Sequence, residues 1–421
     1  MINRQIEKKL LGPKIIPPRY QDYCLSNLHQ TIINLLTNQH SSPELPADTI
    51  PNKKFSHIFL ILIDTLGYLS FKKNRRYFPL PQQTLISPLT TIFPSTTTAV
   101  LSTLSTGLLP QEHGLFEWRL YIPQIGDIIK TLPFCFTNSH QQDQLADLGF
   151  DPDQVFFKKP TIYQKLAQKG IPSFAFSHQS YYKSAFAKIT LNGAKTIPFA
   201  DLAELFTALK QTATKITNKY PKTFTYVYID YLDYTGHRHG PKSDYFKTEL
   251  AQIALMIKRF FLQPLRENSQ LKSKSLVIIT TDHGQVQINP RETIYLNRFR
   301  KLTNSLKLKP NQEPITATGG PRDVFLHLKK GHQDKIIAYL KKKLASQASV
   351  YSSAEALENG WFGNRRSSQK FLERLGEVLI LPQDNLTVWL NSDGEKKIDK
   401  LGHHGGLTAE EMLVPLITIP L

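Results

Sequence analysis

The chain has 421 residues, 40% of them hydrophobic and 10% aromatic. That is enough for one large core or two ordinary ones, and it excludes disorder as the dominant state. Its 52 Lys and Arg against 34 Asp and Glu give a net charge of +18, which favours anionic partners; because the lysines are scattered, phosphorylated small molecules are favoured over nucleic acid. Two cysteines, Cys24 and Cys135, exclude a disulfide framework and have no CxxC metal spacing.

The first residues lack an apolar stretch of signal length, and no run approaches the roughly 18 apolar residues of a membrane span. A soluble, cytoplasmic protein without stable membrane association is expected. Residues 1–54 read as a leader: an amphipathic helix near 22–38, then a connector with Pro43, Pro46 and Pro51. The continuous apolar run at 58–63 has the pattern of a strand covered on both faces. Further runs of this kind are at 173–176, 224–229, 276–280 and 413–419. Helical periods fall between them at 161–169, with Thr161 as cap and Gly170 as stop, and at 201–218 and 244–262. Strand, helix, strand at this spacing implies an α/β layered sheet. Residues 285–399 are more polar and hold a Lys-rich helix, Gln333–Leu344. They read as a cap or insertion, leaving a core of 55–284 and 400–421.

Ligands of open α/β sheets bind at the carboxyl ends of the strands. The run at 58–63 ends in Asp64. The run at 224–229 enters Asp230-Tyr231-Leu232-Asp233-Tyr234-Thr235-Gly236-His237-Arg238-His239-Gly240. The run at 276–280 ends in Thr281-Asp282-His283-Gly284, and Gly402-His403-His404-Gly405 precedes the last strand. A single strand-end Asp is commonly a helix cap, and a lone His is commonly a satisfied polar residue. Four coincident cases on one sheet edge would repel or stay unsatisfied unless a cation sits among them. Mixed Asp and His ligands without Cys suit Zn²⁺ or a similar divalent metal, and the supply suffices for two ions. Phe93-Pro94-Ser95-Thr96-Thr97-Thr98 opens an apolar-periodic segment closed by Gly107. This places hydroxyls at a helix N-terminus, where free N–H groups can hold phosphoryl oxygens during nucleophilic attack.

In this order, Asp64, Phe-Pro-Ser-Thr-Thr, Thr106-Gly107-x-x-Pro110-x-x-His113-Gly114, Asp233-x-x-Gly236-His237, Thr281-Asp282-His283-Gly284 and His404-Gly405, the chain resembles the alkaline phosphatase superfamily. Within it, the chain is most similar to the type I phosphodiesterase/nucleotide pyrophosphatase branch. The resemblance runs from about 58 to 420, with 285–400 carrying little of it. It implies an alkaline-phosphatase-like layered fold: a mostly parallel central sheet, helices on both faces and a small cap insertion. It also implies two divalent ions, zinc first and manganese second. Asp233, His237 and His404 would hold one; Asp64, Asp282 and His283 would hold the other. Thr97 becomes the nucleophile, third after Pro94 and nine residues before Thr106, with Thr96 and Thr98 as fallbacks. Asp230 and His239 would orient ligand imidazoles. Where the branch has a phosphate-binding Asn, this chain has Trp118, so Arg119 is expected as substitute donor and Arg322 as a further phosphate contact.

The resulting expectation is a metal-dependent phosphodiesterase or nucleotide pyrophosphatase acting on a phosphorylated small molecule or nucleotide. A phosphomonoesterase or phosphonate hydrolase of the same superfamily is the alternative. A non-catalytic basic binder of anions or nucleic acid on this fold is the third reading. Sulfatases are disfavoured, since Cys135 lies in Pro133-Phe134-Cys135-Phe136, not in a Cys-x-Pro-x-Arg setting.

Overall fold

A computed structural model describes residues 2–392 and 394–421. Seven strands form the central sheet: β1 (His57–Ile63), β2 (Leu85–Thr90), β3 (Ser173–His178), β4 (Lys195–Phe199), β5 (Thr223–Ile229), β6 (Ser275–Thr280) and β7 (Leu413–Pro420). Their order is β2-β7-β6-β1-β5-β3-β4, and only β7 runs antiparallel to its neighbours. Every residue of β1 is buried. Phe59, Ile61 and Ile63 join one core cluster and Ile58, Leu60 and Leu62 the other, because successive side chains leave a strand on opposite faces. A sheet covered on both sides therefore needs an unbroken apolar run, and the five runs in the sequence are five of these strands.

The two strands that the apolar pattern does not mark are the sheet's edges, β2 and β4. Each contains a proline, Pro88 and Pro198. A residue without an N–H is tolerated where one side of the ladder is open, and β4 is also half polar, so neither reads as a buried run.

Helices pack on both faces: α1 (Leu28–Thr37), α2 (Thr97–Thr106), α3 (Leu202–Lys219), α4 (Tyr231–His239) and α5 (Asp244–Met256). Thr161 caps Ile162–Ala167 with a capping box, and Asp201 caps α3. The helix at 244–262 is not uniform: past Met256 it widens into a π turn, Ile257–Leu262. This lies just ahead of Pro264, whose ring cannot coexist with the carbonyl four residues back in an α-helix. Residues 1–54 contribute to the core. Leu28, Ile32 and Leu36 of α1 are buried in the core that holds Leu60, Ala99 and Phe224.

The 285–399 region has its own four-stranded antiparallel sheet, ordered Thr318–Gly320, Asp323–Leu326, Val378–Pro382, Ala348–Ser352. Helix α6 (Gln333–Leu344) covers it through Ile336, Leu340 and Leu344. Among the described residues no helix is long and apolar enough to cross a membrane.

Phe59 sits on the central strand, fully buried, with its ring edge-to-face on Phe261 at 5.4 Å. Phe59→Ala should cost about 3–5 kcal/mol, read as a lowered chemical denaturation midpoint at unchanged slope; a shift under about 1 kcal/mol would contradict this placement of the core.

Candidate active site

The β1–β5 ladder continues one residue past the strands, with the Asp64 N–H donating to the Ile229 carbonyl (2.9 Å). Leu62 pairs with Thr280 in the β1–β6 register, so Asp64 and Asp282, each two residues further on, emerge side by side. Two glycines permit the close packing of the loops that follow. A Cβ on Gly284 would stand 1.9 Å from the Glu410 carbonyl oxygen and 3.0 Å from Gly67 Cα, distances no side chain accepts.

Asp64, Asp282 and His283 bring ligand atoms within 4.8 Å of one another, all buried. His283 Nε2 lies 3.3 Å from Asp282 Oδ2 and 3.7 Å from Asp64 Oδ1. Asp233, His237 and His404 form a second such group. Asp233 and His237 are four apart on α4 and so share a face; His237 Nε2 is 3.4 Å from Asp233 Oδ2, and His404 Nε2 is 3.9 Å from Asp233 Oδ1. The His283 and His404 rings stack at 3.8 Å, so the groups abut.

Backbone carbonyls aim the imidazoles. Gly402 accepts from His237 Nδ1 (2.7 Å), Ser95 from His404 Nδ1 (3.1 Å) and Gly284 from His283 Nδ1 (3.0 Å). Each bond commits Nδ1 as the donor and leaves the Nε2 lone pair facing the carboxylates. Asp230 and His239, expected in that orienting role, stand elsewhere: Asp230 bonds Tyr181, and the His239 ring stacks on Tyr245 at 4.0 Å. His403 is buried but outside the group of three.

Burial, then the charges of Asp282 and Asp233, push the Asp64 carboxyl well above the usual range. Burial also pushes Asp233 upward, but His237, His283 and Thr65 outweigh it and hold that carboxyl low. Burial drives His404 and His237 down, towards the neutral form that ligates metals. Asp282 Oδ2 is buried with no hydrogen-bond partner. An unsatisfied carboxylate oxygen beside repelling carboxylates and imidazole lone pairs is a donor set that fits divalent cations.

Thr97 opens α2. Its Oγ1 is 3.1 Å from His283 Nε2 and 3.4 Å from Asp64 Oδ2. The neighbouring hydroxyls turn away, Thr96 donating to the Phe116 carbonyl (3.2 Å) and Thr98 pairing with Thr131 (3.0 Å). Three further polar partners escaped the sequence reading. Tyr228 donates to Asp64, and Thr65 (2.6 Å) and Gln285 (3.1 Å) donate to Asp233. Tyr228 sits inside a run read simply as a strand; its polar tip at the penultimate position was the available signal.

Arg119 lines the cavity at this site beside the exposed Trp118. Its guanidinium bonds Glu395 (2.6 Å) and lies over the Trp389 ring. Arg322 requires a correction. It is buried, both its Nε and Nη2 donate to Glu411 (3.0 Å each), and its Nη1 donates to the Leu386 carbonyl. With its donors thus engaged, it braces the 403–406 loop, where Glu411 also receives the Gly406 N–H (3.0 Å), and does not reach for phosphate.

Burial pushes the Glu117 carboxyl, which faces Asp323, up to about 7. Between its ordinary 4.5 and that value the native state keeps a proton that the unfolded chain has lost. Stability should therefore fall as pH rises through this window. Thermal melts at several pH values on Glu117→Gln should show a flatter slope; an unchanged slope would contradict the assignment.

Comparison with known proteins places the chain in a known family. The family model described as Type I phosphodiesterase / nucleotide pyrophosphatase matches residues 69–407. The chain is 24% identical over 235 residues to venom phosphodiesterase CdcPDE of Crotalus durissus collilineatus, covering 56% of this chain and 26% of that protein. It is 22% identical over 220 residues to ectonucleotide pyrophosphatase/phosphodiesterase family member 1 of Homo sapiens, covering 52% and 22%. It thus spans about a quarter of the length of these curated relatives. The solved structure of murine ectonucleotide pyrophosphatase/phosphodiesterase 5 superposes with TM-score 0.61 at 17% identity, over 86% of this chain and 87% of that one. The same murine protein has been solved as an inactive threonine-to-alanine variant in complex with AMP. The structural likeness establishes the layered fold.

Proposed function

The chain belongs to the type I phosphodiesterase/nucleotide pyrophosphatase family, and from that premise we propose that it hydrolyses a phosphodiester or pyrophosphate bond, using Thr97 as nucleophile and two divalent ions. The observation that carries this reading is the position of the Thr97 hydroxyl, 3.1 Å from His283 and 3.4 Å from Asp64 at the first turn of α2. The murine relative's inactive threonine-to-alanine variant lends it support.

Asp64, Asp282 and His283 would hold one ion, and Asp233, His237 and His404 the other. Zinc is the first choice and manganese the second, given hard carboxylates mixed with imidazoles. Bound there, the pair would supply Lewis-acid charge to the attacking and leaving oxygens and lower the hydroxyl pKa. Thr97 Oγ1 bonds to phosphorus as the bond to the leaving oxygen breaks. The Thr97 and Thr98 N–H groups, unpaired within the helix at its first turn, face the phosphoryl oxygens. Water then cleaves the phosphothreonine and restores the hydroxyl. A nucleotide is the substrate class proposed, and a cytoplasmic location, resting on the presence of only two cysteines, belongs to the same proposal. Trp118, standing where the branch has a phosphate-binding Asn, favours one second reading: a monoesterase with the same machinery.

The test is hydrolysis of bis-p-nitrophenyl phosphate beside p-nitrophenyl phosphate, with Zn²⁺, Mn²⁺ or EDTA, on wild type and Thr97→Ala. The diester should turn over only with metal, and the variant should lose about a thousandfold or more, as nucleophile deletions do. Full metal-dependent activity in Thr97→Ala would overturn the nucleophile, and preference for the monoester would establish the second reading.

A further inference from the structure

Lysines that lie scattered along the sequence come together on one side of the 285–399 region. Residues 293–312 and 324–354 hold eleven Lys and Arg against a single acid, Asp334. Ten of the chain's eighteen net positive charges therefore fall in these two segments.

Two ridges carry the charge. One is α6, whose buried stripe of Ile336, Leu340 and Leu344 turns Lys335, Ala338 and Lys342 outward on the opposite face. The other is the turn at 298–301. Its Phe299 ring meets Tyr339 of α6 edge-on at 6.1 Å. Lys301 and Lys343 both lie over the Tyr339 ring, with Nζ 5.6 and 5.9 Å from its centre, and Arg298 lies over Phe299 at 5.1 Å. The ridges are thus held side by side. Towards the start of α6, Lys329 donates to the Asn304 carbonyl (3.0 Å), and the His332 ring pairs with the Ser305 hydroxyl (2.9 Å), which carries the seam onward.

Arg298, Lys301, Lys329, Lys335, Lys342 and Lys343 are all exposed. Among the described residues none of them forms an ion pair. Asp334 stands seven residues before Lys341 and so shares the other flank of α6, where the charge of Lys341 acts on Glu355. Six unpaired like charges on adjoining ridges repel one another, and a polyanion relieves that repulsion. Tyr339 is overlaid by two lysines, so it is no free platform for an unpaired base. Ala338 is the residue between Lys335 and Lys342 on the outward face, so no large apolar side chain stands there to enter a bilayer. Lys335 and Lys342 are seven residues apart, about 10 Å along the helix, which matches the roughly 12 Å between the strands that border a major groove.

We propose that this face of the 285–399 region docks double-stranded nucleic acid through its phosphate backbone, without reading sequence. The docking needs no turnover and stands apart from the hydrolytic reading. Six phosphate contacts give a slope of log affinity against log salt of about −5, a loss of about a thousandfold between 50 and 200 mM.

The test is fluorescence anisotropy of the full chain with a labelled 20-base-pair duplex whose phosphorothioate backbone resists hydrolysis, beside the matching single strand and phosphatidylserine vesicles. The duplex should bind with that salt slope. Lys335→Glu/Lys342→Glu/Lys343→Glu should bind about a hundredfold more weakly at 100 mM salt and reduce the slope by about three. The same charge change on α3, Lys210→Glu/Lys215→Glu/Lys219→Glu, should leave most of the affinity intact. Thermal melts and bis-p-nitrophenyl phosphate hydrolysis matching wild type would show that both variants fold. No duplex binding, an equal loss in the two variants, tighter binding of the single strand, or binding to vesicles in place of the duplex would each overturn the proposal. A chain that binds the duplex in this way yet hydrolyses no ester would sink the hydrolase reading and leave the docking surface standing.

Discussion

Like charges held at one edge of a sheet are the constraint on which this structure turns. The registers of β1 with β5 and β6 leave no freedom in the matter: Ile63 lies beside Ile229 and Leu62 beside Thr280, so the residues that follow the strands emerge level. Asp64, Asp233 and Asp282 then share a buried space in which their mutual repulsion and loss of water are costly. Hydrogen bonds from Tyr228, Thr65 and Gln285 offset part of that cost. They leave one oxygen of Asp282 unpaired, which marks where positive charge is wanted.

The rest of the architecture keeps that edge rigid. Ser95 links two of the loops involved: its carbonyl accepts from the His404 ring, its hydroxyl donates to the Gly406 carbonyl (2.9 Å) and it accepts the Gly405 N–H (3.2 Å). The segment that leads to Thr97 and the segment that carries His404 are thereby fixed together. From the other side the buried Arg322–Glu411 pair joins the 285–399 region to the same loop. Removing one partner of such a pair leaves an uncompensated buried charge, which is far more destabilising than the net worth of the pair suggests. The 285–399 region therefore braces the site.

The central strands and the site were legible in the sequence for a common physical reason. Strands buried on both faces must be apolar throughout, and the first polar residues after them stand at the carboxyl edge where ligands bind. That logic brought out Asp64, Asp282 and His283, whereas the grouping of Asp233 with His237 and His404 came from the family resemblance. It passed over β2 and β4, because edge strands tolerate proline and polar residues. Arg322 looked like an anion contact because a sequence shows charge but not the Glu411 that neutralises it. Trp118 and Arg119 were visible only as departures; that Arg119 is shared with Glu395 and the Trp389 ring depends on contacts across nearly three hundred residues.

The account stands or falls on whether the clustered carboxylates and imidazoles hold two cations. Anomalous diffraction at the zinc edge from crystals grown with Zn²⁺, with the bound metal counted in solution by elemental analysis, tests this directly. The account predicts two peaks per chain, one within ligand distance of Asp64, Asp282 and His283 and one within ligand distance of Asp233, His237 and His404. A metal-free chain in which those carboxylates keep their positions, or ions bound only elsewhere, would contradict it.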